Sequence, residues 1–215
     1  RIEMSKHNHY YSDAEEKLNI YSHGAGLVLS IIAFPFLVLK SLTFDGFWKP
    51  ASIFVFGLSM IILYTASTFY HAATVPKIRR RLNIFDHAAI YVLIAGTYTP
   101  FTIIVLEGQL GWMLFIATWI FALTGIILKL FFTGKFNKLS TVMYVLMGWQ
   151  IVFAINPLIE NFSTNGLQWL FAGGIFYTIG AILYSIKNIP FNHAIFHVFV
   201  LLGTLSHFVS IYFYF

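Results

Sequence analysis

Cysteine is absent from the 215 residues. That excludes disulfides, thiolate ligands and a cysteine nucleophile, so a transition-metal site here must be built from histidines and carboxylates. Charge is scarce too. Asp, Glu, Lys and Arg make up 10 % of the chain, against about 25 % in a soluble domain. Stretches rich in small polar residues, low-complexity tracts and linkers are also missing, so nothing divides the chain into two domains. What fills it is apolar: 59 % hydrophobic, 24 Phe, 12 Tyr and 5 Trp, with a mean hydropathy of +0.78. The pI near 9.4 would suggest nucleic acid in a soluble protein. In so apolar a chain the excess of base is instead a signal of membrane topology, and no nucleic-acid partner is expected.

The apolar residues fall into seven runs, at roughly 21–39, 51–71, 87–106, 112–132, 140–159, 167–186 and 194–215. Each is close to the ~20 residues that carry a helix across the bilayer core. The expected fold is therefore all-α, a seven-transmembrane-helix protein of the cell membrane. Residues 1–19 form a polar tail, mobile or folded as a short surface helix, and 20–215 a single helical domain. The first run begins only after a polar tail and has no small-residue cleavage site, so no cleavable signal peptide is expected. Pro35 and Pro100 lie inside runs and should kink them. Gly173, Gly174 and Gly180 should let helices approach closely.

Alternating crossings sort the basic residues. All but Lys40 and Lys49 of the 13 Lys and Arg fall on the side of the N-terminus, which the positive-inside rule makes cytoplasmic, leaving the C-terminus outside. On that reading His71 ends the second helix at the cytoplasmic side, Asp86 and His87 open the third there, and His193 and His197 open the last. Two histidines four apart share one helix face. Of the eight carboxylates, Glu3, Asp13, Glu15 and Glu16 fall in the tail and Asp45, Glu107 and Glu160 in or beside outside loops. Asp86 alone is expected to be both cytoplasmic and anchored to the helical body.

Three histidines with an open fourth position are the pattern of a zinc site that keeps a water of raised acidity. Asp86 either binds the metal directly or holds and deprotonates that water, and the second role is preferred. The H-E-x-x-H pattern is missing, because Ala194 follows His193, so no helix-borne glutamate competes with Asp86 for the role of base. Ser67 lies one turn deeper than His71 on the same face. It is a candidate for orienting a ligand or an oxyanion, or simply bonds its own i−4 carbonyl. His87 is turned about 100° from Asp86 and should face a neighbour. His23, at the start of the first helix, either hydrogen-bonds behind the ligands or sits as a satisfied interfacial histidine, and the latter is preferred. His207 is about 15 Å further along its helix than His197, too far to share an ion, and belongs to a buried contact or a cavity wall. Arg79, Arg80 and Arg81 read as an orientation signal. No carboxylate lies at mid-membrane, which argues against an ion pump.

The motif Ser67-Thr-Phe-Tyr-His71, then Asp86-His87, then His193-Ala-Ile-Phe-His197, resembles the signature of the hemolysin III proteins, the bacterial branch of the progestin and adipoQ receptor family. Ser22-His23-Gly24-Ala25-Gly26, Gly96-Thr97-Tyr98-Thr99-Pro100-Phe101 and Leu202-Gly203-Thr204-Leu205-Ser206-His207 are similar to that family as well. The resemblance covers the chain after the tail. It implies zinc held by His71, His193 and His197, with Asp86 reaching the metal through water and Ser67 close behind the ligands. A wider relationship to alkaline ceramidases implies hydrolysis of an acyl bond in a lipid, with membrane lipids as partners and a lipid or fatty-acyl ligand lying in the helix bundle. The family name implies lysis, but the helices offer no polar lumen for a pore. Two other readings stand beside the enzyme: a receptor or regulator of membrane state with structural zinc, and a lytic protein.

Overall fold

The computed structural model describes residues 11–132 and 137–215. Those residues form helices joined by short connections, without strands. The helices are α1 (Asp13–Ser41), α2 (Trp48–Ala72), α3 (Pro76–Pro100), α4 (Gly108–Phe132), α5 (Asn137–Trp149), α6 (Ile155–Asn161), α7 (Thr164–Ser185) and α8 (Asn192–Tyr214). A π-helical turn, Phe101–Val105, continues α3, and a 3₁₀ turn, Gln150–Ala154, joins α5 to α6. Seven of the resulting segments are long and apolar enough to cross a membrane, α3 with its π turn and α5 with α6 each counting once.

Sequence neighbours pack pairwise, α1 on α2, α2 on α3, α3 on α4 and α7 on α8, while α8 returns to α1 and closes the ring. The third span is the most buried and forms the centre. Large apolar side chains such as Leu29, Ile32, Phe36 and Leu39 on α1 face outward. In water that face would be a liability; in a bilayer it meets acyl chains.

Helices overrun the apolar stretches that announce them. Ser12 caps α1, its hydroxyl accepting from the Glu15 amide at 3.2 Å, and Asp13, Glu15 and Glu16 fill the first turn, where acidic groups complement the helix dipole. The second half of the expected tail is thus part of α1; the rest of it, residues 1–10, lies outside the described residues. Pro76 stands in the first turn of α3, the position a proline tolerates. Asp86 is therefore not at the mouth of a helix but ten residues, or about 15 Å, into one. Polar residues such as Lys and Arg are good helix formers, so the hydrophobic run marks where a helix meets lipid, not where it starts.

The two breaks have identifiable causes. Pro100 lacks an N–H, and the chain widens into the π turn directly after it. Pro35, by contrast, is carried within a continuous α1. In the fifth span the ladder changes before Pro157, expected as part of one unbroken helix, and the phenol of Tyr98 serves the gap. It donates to the Gly148 carbonyl and accepts from the Ile151 amide, both at 2.8 Å. Glycine supplies close approach between α7 and α8: a Cβ on Gly173 would lie 2.2 Å from Nε2 of His207.

Candidate metal centre

One nitrogen from each of His71, His193 and His197 lies within 4.8 Å of the others. The three residues are 3, 6 and 1 % exposed, so solvent does not compete for their rings. Their arrangement follows from the helices. His71 sits in the last turn of α2. His193 and His197 occupy successive turns of α8, whose start is held by Asn192, its amide donating to the Tyr184 and Ile186 carbonyls at 3.0 and 3.3 Å.

Hydrogen bonds determine which nitrogen His71 and His197 offer. Glu16 Oε2 lies 2.7 Å from His71 Nδ1, so Nδ1–H donates to the carboxylate and Nε2 keeps its lone pair. The Ser22 hydroxyl donates to the Asn19 carbonyl at 3.1 Å and stands 3.2 Å from His197 Nδ1. It therefore accepts from Nδ1–H, and His197 also presents a bare Nε2. His71 Nε2 and His193 Nε2 are 3.1 Å apart, while His193 Nδ1 is buried with no hydrogen-bond partner. Two lone pairs at that distance repel unless a proton or a cation lies between them. Two imidazoles on one tetrahedral zinc, at about 2.0–2.1 Å each, would stand about 3.3 Å apart. The three buried histidines fit a metal ion, and the carboxylate behind His71 is the usual outer partner of a ligating histidine.

Glu16 was missed because it was assigned to the tail. It belongs to α1, and Asp86 is not the only carboxylate the helical body holds at this end of the bundle. Glu16 also pairs with Arg79, whose other amino group donates to the Tyr70, His71 and Ala73 carbonyls at 3.3 to 3.5 Å. Arg79 is buried. Beyond any part in orientation, it closes the C-terminal end of α2 and holds Glu16 against His71. The signal that would have found these residues is Glu16, Asn19 and His23 at i, i+3 and i+7, a polar stripe on an otherwise apolar helix.

The remaining candidates are distributed around the cluster. Ser67, fully buried, does not close on its own helix: its hydroxyl is 2.7 Å from His23 Nδ1. His23 is no interfacial residue. It is 3 % exposed and stacks parallel on His197, ring centres 3.5 Å apart. Asn19, also fully buried, sets its amide 3.4 Å from His71 Nδ1. Tyr11 stacks on His193 at 4.6 Å. Asp86 stands outside the group of converging ligand atoms. His87 turns away to the Asn83 carbonyl at 2.8 Å, its Nδ1 4.0 Å from Asp86.

Asp86, Ser67, His193 and His197 share the wall of a cavity of about 140 Å³ that runs between α3, α5, α7 and α8. Its other walls are largely apolar, including Leu93, Phe101 and Val200. His207 lines its far part, with Nε2 3.1 Å from the Leu170 carbonyl, which places it in the cavity wall and apart from the ligand cluster, as expected.

Comparison with known proteins agrees with this construction. The family model described as Haemolysin-III related matches residues 11–208. The chain is 46 % identical over 200 residues to Hemolysin-3 homolog of Bacillus subtilis (strain 168), covering 93 % of this chain and 94 % of the relative. It is 46 % identical to Hemolysin-3 of Bacillus cereus, over 93 % of this chain and 91 % of that one. To the human Monocyte to macrophage differentiation factor it is 27 % identical, over 92 % and 83 % of the two chains. No solved structure matches it. With the motif residues converging in space and the family model spanning nearly the whole chain, this seven-helix membrane protein belongs to the hemolysin III family.

Proposed function

We propose that this protein is a zinc-dependent hydrolase of the cell membrane that cleaves an amide or ester acyl bond of a lipid, with its N-terminus and its histidine centre on the cytoplasmic side. The observation that carries the reading is the convergence of three buried histidine nitrogens, two of them from residues that share the wall of an apolar cavity with Asp86 and Ser67. His71, His193 and His197 would hold the metal; zinc, when bound, acidifies a water and polarises a carbonyl. The lipid tail lies along the apolar wall and brings its carbonyl to the histidine end. Asp86 takes a proton from water as the new C–O bond forms, then gives it to the leaving nitrogen or oxygen as the old bond breaks. Ser67 steadies the oxyanion. The Nδ1–H tautomer of His23 leaves the Ser67 hydroxyl free to donate there.

Purified protein should contain zinc and release free fatty acid from amide or ester lipids, and Asp86→Ala should keep the zinc and lose the release. Release that persists in Asp86→Ala ends the mechanism, and wild-type protein without zinc ends the metal assignment. Tyr11 over His193 and Glu16 on His71 cover the ligands from the side of α1. That cover favours, as a second reading, a receptor or regulator of membrane state in which the metal ties α2 to α8. Zinc removal would then lower the melting temperature of a protein that shows no turnover.

A further inference from the structure

Four tyrosines line the cavity, and three of their hydroxyls are spent on the protein. Tyr98 serves the Gly148 carbonyl and the Ile151 amide, both at 2.8 Å. Tyr144 donates to the His87 carbonyl at 3.0 Å. Tyr177 donates at 2.7 Å to the Thr204 hydroxyl, whose own proton goes to the Val200 carbonyl. Tyr184 is the exception. Among the described residues its hydroxyl makes no hydrogen bond, and its oxygen is not closed off by the packing around it. A tyrosine hydroxyl inside a protein finds a partner as a rule. The partner of this one is a group that enters the cavity.

The place of Tyr184 indicates which group. It stands in the last turn of α7, and its backbone carbonyl accepts from the Asn192 amide at 3.0 Å, which ties it to the start of α8. Its ring packs on His193, centres 5.4 Å apart, and on Phe196 at 5.1 Å. The hydroxyl is close enough to the Asp86 carboxylate to feel its charge. A tyrosine near the end of a span often belongs to the aromatic belt, with its hydroxyl among lipid headgroups. Tyr184 instead turns its ring to a candidate ligand and joins the wall that His193, Asp86 and Ser67 share. Three histidines leave one position of a tetrahedral zinc to a ligand. We propose that Tyr184 donates the hydrogen bond that fixes the oxygen of that ligand. The inference rests on the metal reading of His71, His193 and His197 and holds whether or not the ligand is turned over. Where a lipid is cleaved, the same bond falls on the carbonyl oxygen as charge develops there, beside that from Ser67.

The test is titration calorimetry of the purified, zinc-loaded full chain with two small probes, acetohydroxamate, which binds zinc through oxygen, and ethanethiol, whose sulfur accepts hydrogen bonds poorly. Tyr184→Phe removes the hydroxyl alone. It should weaken acetohydroxamate by about tenfold or more, the usual worth of a hydrogen bond to a charged oxygen. Ethanethiol should bind the variant and the wild type alike, and zinc affinity, read by chelator competition, should not change. Tyr177→Phe, whose hydroxyl is already committed to Thr204, should bind acetohydroxamate as the wild type does. Equal acetohydroxamate affinity in Tyr184→Phe and wild type would overturn the proposal and leave the metal reading standing. So would a loss that ethanethiol or Tyr177→Phe shows equally, or a parallel fall in zinc affinity, each of which would make Tyr184 a packing residue. A zinc-loaded wild type that binds neither probe has no open position, which overturns the proposal in favour of a structural metal. Wild-type protein that takes up no zinc would overturn both readings together.

Discussion

Replacing Glu16 by glutamine tests whether the partners behind the histidines govern the centre. The carboxylate serves two donors at once, His71 Nδ1–H at 2.7 Å through one oxygen and Arg79 through the other. Glutamine keeps the shape but has one acceptor and one donor end, so it can satisfy only one of them and turns its amide hydrogens on the other. Either His71 loses the bond that keeps its lone pair on Nε2, or Arg79 loses its anion. Removing an outer partner of a ligating histidine costs about 10–100-fold in metal affinity, or about 1.4–2.7 kcal/mol. The side chains of His71, Glu16 and Arg79 are 0, 15 and 11 % exposed, so water can replace little of what is lost. Zinc affinity should be read by competition with a chromophoric chelator on the purified protein, alongside a melt of the metal-free form. Glu160→Gln, remote from the centre in sequence and fold, serves as control. Zinc affinity in Glu16→Gln within about twofold of wild type would refute the reasoning, because a 2.7 Å charged hydrogen bond to a true ligand cannot be silent.

Four further outcomes follow from single contacts. Ser22→Ala removes the acceptor of His197 Nδ1–H and should weaken zinc binding by about 0.5–1.5 kcal/mol, measured by the same competition. Gly173→Ala places a methyl 2.2 Å from the His207 ring and should lower stability by about 1–3 kcal/mol in a thermal melt; adding His207→Ala should restore part of it. Tyr98→Phe strands the Gly148 carbonyl and the Ile151 amide. The cost should be about 1–3 kcal/mol, with faster amide exchange confined to the α5–α6 junction. Arg79→Ala opens the C-terminal end of α2 and frees Glu16. It should weaken zinc binding, whereas Arg80→Ala, on the exposed side of the same turn, should not.

The seven spans were legible because length and hydropathy are what a bilayer selects on. The three histidines were legible because topology and the i, i+4 spacing on α8 bring them to one end. Helix starts were less so. A helix in a membrane protein need not stop at the lipid boundary, and Pro76 and Ser12 show that start signals several residues outside an apolar run still operate. Placing Glu16 in the tail followed from that error, and so did placing Asp86 at a mouth. The division of the fifth span was not legible at all from hydropathy. The run stays apolar through the break, and the groups that lose their helical partners are repaired by Tyr98, fifty residues upstream. A long-range repair of this kind leaves no local pattern.

The three histidines come from α2 and α8, yet the hydrogen-bond partners of His71 Nδ1 and His197 Nδ1 come from α1. Glu16 accepts from His71, Ser22 accepts from His197 and His23 stacks on that same ring, and the three share one face of a helix that otherwise points apolar side chains at lipid. α1 contacts both α2 and α8, so all three helices must be in place for these hydrogen bonds to form. Without α1 the rings of His71 and His197 are free to exchange tautomers and rotate, and the nitrogens they offer are no longer defined. Metal binding should therefore be linked to the docking of α1 and not merely to the presence of three histidines. The same geometry gives the polar first turns of α1 their partners: the inward stripe of α1 is satisfied by the histidines of α2 and α8.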